Sequence, residues 1–187
     1  QVPSKDNFGM RPVIDVPPLE EGQVRVNTLY LAMSPSLRFS LNEDSMATCS
    51  KGRIDEGSTF GTDGVGLVVE STSVFFKVGD MIANKPHTFP WPWRKIVVFR
   101  DRDMFGLFFL VDANDEQGWL RSFPEAALSH CGISALTSYF GVVDVLKPHL
   151  IADADSNAEV HKTLVVSGAS GACGSVAGQI GKIVGFH

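Results

Sequence analysis

From Val165 to Gly174 the chain reads Val-Val-Ser-Gly-Ala-Ser-Gly-Ala-Cys-Gly. Leu164, Val165 and Val166 lead into this turn as a continuous apolar run, the pattern of a strand buried in a parallel sheet. Ala169, Gly171 and Gly174 fill the three places of a G-x-G-x-x-G turn, with Ala in the first. Gly168 also permits a G-x-x-G-x-x-G reading. This spacing suits the binding of a diphosphate. Without a Cβ at Gly171 the backbone can approach a pyrophosphate, and without one at Gly174 the next helix can lie close to the strand. The helix start then offers free N–H groups and a positive dipole end. Gly171, Ala172, Cys173 and Gly174 are the candidate cofactor-binding residues. A strand–helix turn with a structural role alone has the same sequence, so both readings stand here. A P-loop is excluded, because no Gly-Lys-Ser/Thr follows. The residue that separates NAD from NADP lies about 20 positions beyond such a turn, past His187, so the residues present do not distinguish them.

The turn needs elements to hold it. After it, Val176, Ile180, Ile183 and Val184 form an apolar stripe, while Ala172, Ala177 and Gly178 keep the helix slim. Gly178, Gly181 and Gly185 each cost about 1 kcal/mol relative to Ala, so this helix depends on packing. Upstream, Ile133, Leu136, Phe140 and Val143 recur at helical spacing. A helix is expected within Pro124–Leu146, broken at Gly132 or Gly141. Earlier still the pattern is of short strands between turns. Gly22–Met33 carries Val24, Val26 and Leu29 on one face, and Gly64–Thr72, the run after Val78-Gly79-Asp80, and Trp93–Arg100 follow. Such strands imply a small β-barrel. The change of character puts a boundary near residues 125–130.

Composition sets outer bounds. The chain has 187 residues, 44% hydrophobic and 20% charged, with net charge −5. That balance is globular and lacks the basic face of a nucleic-acid binder. No apolar run approaches a membrane span of roughly 20 residues, and the first residues have no secretory pattern. Cys49, Cys131 and Cys173 are odd in number and far apart, which implies a reducing compartment, the cytoplasm, rather than a disulfide framework. No zinc-binding spacing occurs, and Asp153, Asp155 and Glu159 read as a solvated acidic loop.

Phe89-Pro90-Trp91-Pro92-Trp93 is a Pro-stiffened aromatic segment that suits the wall of an apolar substrate pocket. Aromatic packing at a barrel rim is the alternative. Arg38 is expected to make a structural ion pair, Cys173 to pack as a small apolar residue, and His87 and His130 to be structural.

Five groups of residues together resemble the zinc-free medium-chain dehydrogenase/reductase family. They are Val26–Arg38, Leu41–Ser45, Gly64–Ser71 with Lys77–Asp80, Trp91–Trp93, and Val165–Lys182. The resemblance implies a GroES-like barrel over 1–127 and the incomplete start of an NADP-binding Rossmann domain over 128–187. It also implies a cytoplasmic enzyme, monomer or homodimer, that uses NADPH to reduce the carbon–carbon double bond of lipid enones such as 15-keto prostaglandins. A quinone oxidoreductase of the same superfamily, or a truncated non-catalytic chain, is the alternative. By the same resemblance, Phe89 and Pro90 match substrate-contacting positions and Thr137 a residue near the nicotinamide, with a Thr hydroxyl bonded back to its own helix as the equal alternative. The family's catalytic Tyr has no match, since Tyr30 and Tyr139 fall elsewhere and the rest of the family fold lies beyond the chain end. Ser34-Pro35-Ser36-Leu37-Arg38 departs from a family Asp-Pro-Tyr-Met-Arg. Thr62 and Asp63 stand where zinc-containing relatives carry a ligand, so no metal is expected.

Overall fold

The computed structural model describes residues 4–10, 16–33, 37, 57–86, 90–111, 116–146 and 163–186. Strand β1 (Gln23–Leu31) pairs antiparallel with β3 (Gly64–Ser71) on one side and with β6 (Ile96–Arg100) on the other. Strand β4 (Met81–Asn84) follows β3, and β7 (Phe108–Leu110) follows β4, so the sheet order is β6-β1-β3-β4-β7. A second small sheet joins β2 (Gly61–Thr62) to β5 (Trp91–Pro92). Phe99 on one edge strand and Phe108 on the other have ring centroids 5.0 Å apart. The five-stranded sheet is therefore rolled until its edges meet, as in a GroES-like barrel.

Trp91 fills the interior of this roll with 0% exposure. Its ring meets Phe99 at 5.1 Å and Phe108 at 5.9 Å, and its indole N–H donates to Thr28 Oγ1 at 2.9 Å. Room for it comes from two missing side chains. A Cβ on Gly64 would sit 2.5 Å from Trp91 Cγ, and one on Gly66 would sit 2.9 Å from Trp91 Cζ2 and 2.6 Å from Val26 Cγ1. Val24, Val26, Val68 and Ile82 complete this face of the core. On the opposite face of the sheet, Val65, Met81 and Ala83 pack with Val111 and Ala127. Strand β4 is thus buried on both faces.

The strands differ from the sequence expectation in two details. Leu29 is exposed, because alternation from Val24 and Val26 puts Thr28 inward and Leu29 on the other face. Thr28, not Leu29, is the third inward position. The strand expected from Trp93 starts at Ile96, because Trp93 N–H bonds Phe60 O and Arg94 N–H bonds Pro92 O in a turn. Strands β2, β5 and β7 are too short to show a period, and so are the one-turn helices α1 (Asp101–Met104) and α2 (Trp119–Ser122).

The run expected as one helix over 124–146 is three pieces: a 3₁₀ turn (Pro124–Ala127), α3 (Ile133–Tyr139) and a π-helical turn (Phe140–Val145). The break falls at Gly132, where a Cβ would run into the carbonyl of Leu128. At Gly141 the chain widens rather than breaks, and its carbonyl accepts from Leu146 N–H. Helix α4 (Ala172–Ile183) follows the glycine-rich turn.

The expected strand at 164–166 is extended backbone without a sheet partner among the described residues, and Val165 is 87% exposed. A strand exists only where a neighbour takes up its N–H and C=O groups, and both described sheets end within the barrel. The helical stripes behave likewise. Ile133, Leu136 and Phe140 are exposed, and Ile183 is 82% exposed. The buried residues of these helices are Ala135, Ser138, Val142 and Gly181, the last against Leu164.

The tight fit round Trp91 is testable. Gly64→Ala and Gly66→Ala should each lower unfolding stability by about 1–3 kcal/mol. Gly9→Ala, where a Cβ meets nothing within 4 Å, should leave it unchanged. Urea denaturation of the three variants measures this, and equal midpoints would refute the packing argument.

Candidate functional site

The turn is built on Gly168. Its φ of +62° lies in the left-handed region that favours glycine. Its carbonyl accepts Gly171 N–H at 2.9 Å, which closes the turn, and Gly171 O accepts Ser175 N–H at 2.9 Å, which starts α4. A Cβ on Gly174 would collide with Gly168 O and lie 2.9 Å from Ala169 Cα. Gly174 is therefore the position where helix and turn touch. Gly171 has extended backbone, and its added Cβ would meet only Gly168 O at 3.2 Å. The space outside Gly171 is open.

No side chain caps α4. The first amides of a helix have no intrahelical acceptor. Here they belong to Ala172, Cys173 and Gly174, of which the first two are exposed. With the dipole behind them, they form a site for an anionic group such as a diphosphate. The dinucleotide reading needs this geometry. Cys173 is exposed and does not pack as a small apolar residue. The thiol of Cys131 is pushed up by partial burial, the opposite of an activated nucleophile.

Two adjacent residues of α3 divide the work assigned to one. Thr137 is exposed, and its hydroxyl donates to Ile133 O at 2.8 Å within its own helix. Ser138 is buried. Its hydroxyl lies 2.8 Å from Ser134 O and 2.7 Å from Cys173 O, and shares its proton between them. Ser138 is thus the polar tie between α3 and the first turn of α4. Its sequence signal was a small polar residue one place from the apolar stripe.

On the barrel, Thr62 and Asp63 are locked by hydrogen bonds. Thr62 Oγ1 donates to Ala32 O at 2.7 Å, and Asp63 O accepts Ala32 N–H at 2.8 Å. Asn84, 2% exposed, accepts Gly64 N–H at 2.7 Å and donates to Asp63 Oδ1 at 3.2 Å. Sequence reasoning missed Asn84; its signal is a carboxamide ending a strand of apolar residues. Among the described residues no group of His, Cys, Asp and Glu is placed to hold a metal ion.

The aromatic segment splits. Trp91 is core, which corrects its expected place in a substrate wall: its ring is enclosed by the barrel and its N–H is taken by Thr28. Pro90 is exposed. Trp93 is half-buried and meets Phe60 edge-on at 4.6 Å. Phe89, Arg38, His87 and the acidic loop lie outside the described residues. His130 is exposed, with Nδ1 3.0 Å from Ser129 Oγ. A cavity of about 530 Å³ lies elsewhere, lined by Leu164, Val166, Gly181, Lys182 and Phe186 beside the second half of α4. It is not at the phosphate-binding turn.

Two pairs of variants test this geometry. Gly174→Ala should destabilise the turn by about 1–3 kcal/mol and Gly171→Ala far less. Ser138→Ala should cost about 1 kcal/mol and Thr137→Ala almost nothing. Thermal melts and amide exchange of residues 172–175 give the comparison, and a larger effect at Gly171 or Thr137 would reverse the assignment.

Comparison with known proteins agrees with this arrangement. A family model described as the N-terminal domain of oxidoreductase matches residues 1–106. Prostaglandin reductase 1 of Bos taurus is 28% identical over 184 residues, covering 98% of this chain and 46% of that protein. The Mus musculus protein of the same name is 29% identical with the same coverage. CurA from Vibrio vulnificus, solved in complex with NADPH, aligns with TM-score 0.67 at 24% identity, covering 98% of this chain and 46% of that one. The CurK enoyl reductase aligns with TM-score 0.53 at 18% identity, covering 97% and 48%. These likenesses show the fold. The chain spans about half the length of the relatives it matches. The sequence stretches quoted above resemble prostaglandin reductase 2, and these relatives carry the name prostaglandin reductase 1, so the likeness is to the family. By the match over residues 1–106, this chain belongs to the oxidoreductase family of medium-chain dehydrogenase/reductases.

Proposed function

We propose that this chain contributes to an NADPH-dependent reductase of the carbon–carbon double bond of enones such as 15-keto prostaglandins. In this reading residues 1–127 are the substrate domain and 128–187 open the NADP-binding domain. The observation that carries it is the uncapped start of α4 behind a turn closed by Gly168 and clear of side chains at Gly171. When bound, the cofactor supplies the hydride that the β-carbon of the enone receives. The chain's own part is positioning. The amides of Ala172, Cys173 and Gly174 hold the diphosphate. Thr137, whose hydroxyl donates to Ile133 O at 2.8 Å, would stand near the nicotinamide. Pro90, with Phe89 before it, lines the approach of the substrate. Reduction gathers negative charge on the enone oxygen, which needs a hydrogen-bond donor. Tyr30 and Tyr139 are exposed and match no such donor, so the family's catalytic Tyr would come from outside these 187 residues.

The substrate in this proposal is a small lipid enone and the compartment the cytoplasm, with neither nucleic acid nor membrane as partner. No helix among the described residues is long and apolar enough to cross a membrane. The 187-residue chain alone would bind NADPH weakly and turn over no enone, because it spans about half the length of its relatives.

Fluorescence titration with NADPH tests the first point: micromolar affinity in this chain would overturn it. In a full-length protein carrying this sequence, Gly171→Val should abolish NADPH binding with little change in melting temperature. Wild-type affinity in that variant would make the turn structural and sink the cofactor site.

A further inference from the structure

Trp93 holds an indole N–H that is shielded from solvent and has no hydrogen-bond partner among the described residues. The neighbouring tryptophan shows how this sequence treats such a group when its role is packing: Trp91 N–H, equally buried, is taken by Thr28 at 2.9 Å. Leaving a buried donor unpaired costs about 1–3 kcal/mol, and native proteins rarely do so without a further role for the group. A resident water needs two to four polar partners. The rings beside Trp93 offer none: Phe60 stands edge-on at 4.6 Å, and Phe8 stands edge-on to Phe60 at 6.3 Å. Arg94, the next residue, directs its Nη2 to Thr59 Oγ1 at 2.8 Å.

The backbone that carries the ring is held firmly, through the main-chain amide of Trp93. Trp93 N–H bonds Phe60 O at 2.7 Å, and β2 and β5 run side by side so closely that a Cβ on Gly61 would lie 2.7 Å from Pro90 Cβ. The result is an aromatic corner on a fixed backbone, with exposed Pro90 beside Gly61 and a neutral donor that is unpartnered among the described residues.

We propose that the Trp93 indole N–H is the hydrogen-bond donor of a binding site for a flat apolar molecule carrying a neutral carbonyl oxygen. Such a ligand lays its apolar part on Phe60 and Pro90 and its oxygen on Nε1. A neutral donor in apolar surroundings favours a ketone over a carboxylate, whose charge would need a cation to offset its desolvation. Because Nε1 is covered in the free chain, a ring shift accompanies binding. The site deepens the reading under Proposed function by giving the substrate's oxygen-bearing end a specific contact, and it rests on that reading only for the identity of the ligand.

The chain has 3 tryptophans, so the Trp93 indole signal in a ¹⁵N-labelled sample is assigned by its loss in Trp93→Phe. Trans-4-phenyl-3-buten-2-one should move this signal downfield by several tenths of a ppm, and the hydrocarbon trans-1-phenyl-1-butene, which lacks the oxygen, should not. Trp93→Phe keeps an aromatic ring and removes the donor, and should weaken enone binding about tenfold. No movement, equal movement with both compounds, or unchanged affinity in Trp93→Phe overturns the proposal. The readout needs no NADPH. A responding Trp93 in a full-length protein without NADPH-dependent turnover would keep this site and defeat the reductase reading. Turnover with a silent Trp93 would do the reverse.

Discussion

One steric fact organises the N-terminal half: Trp91 sits where Gly64 and Gly66 have no side chains. The sheet can roll only if something large fills its axis, and the indole can enter only if β3 yields there. Once it is in place, Phe99 and Phe108 reach it from opposite edges and close the roll. The same insertion pulls β5 against β2 and brings Pro90, Trp93 and Phe60 together on the outside. Core packing and the aromatic corner are thus two faces of one insertion. Asn84 secures the inner end by holding Asp63 and Gly64 beside the indole.

The second half rests on a lighter constraint. Helices α3 and α4 approach through small residues, and the Ser138 hydroxyl reaches the carbonyl of Cys173. Close backbone approach leaves the larger side chains, Ile133, Leu136 and Ile183, pointing away from the contact. This inverts the usual amphipathic logic, in which the apolar stripe marks the buried side. It also explains why the anion-binding amides are well placed although the strand before them is unpaired. The turn is fixed from the helix side, by Gly168, Gly174 and Ser138.

Much of this was legible in the chain, and the illegible parts have common causes. Strands β1, β3, β4 and most of β6 showed in alternation and turn residues, because they are long enough to have a period. The phase of β1 failed at Leu29, because apolar type was followed there instead of the two-residue period, which points to Thr28. The glycine-rich turn was legible because its demands are steric and local. Trp91 was misjudged because aromatic and Pro-rich composition is the same for a pocket wall and a barrel plug. Only the Gly64-x-Gly66 spacing on another strand distinguishes them. Thr137 and Ser138 were separable only by knowing which face of α3 meets α4.

The extended run at 164–166 has a consequence for the chain's behaviour as a material. It has no sheet partner among the described residues, Val165 within it is exposed, and Ile183 near the end of α4 is exposed as well. An open strand next to bare aliphatic surface is the geometry from which chains add to one another edge to edge. A segment that paired with this run would satisfy its backbone groups and cover Val165 in a single step.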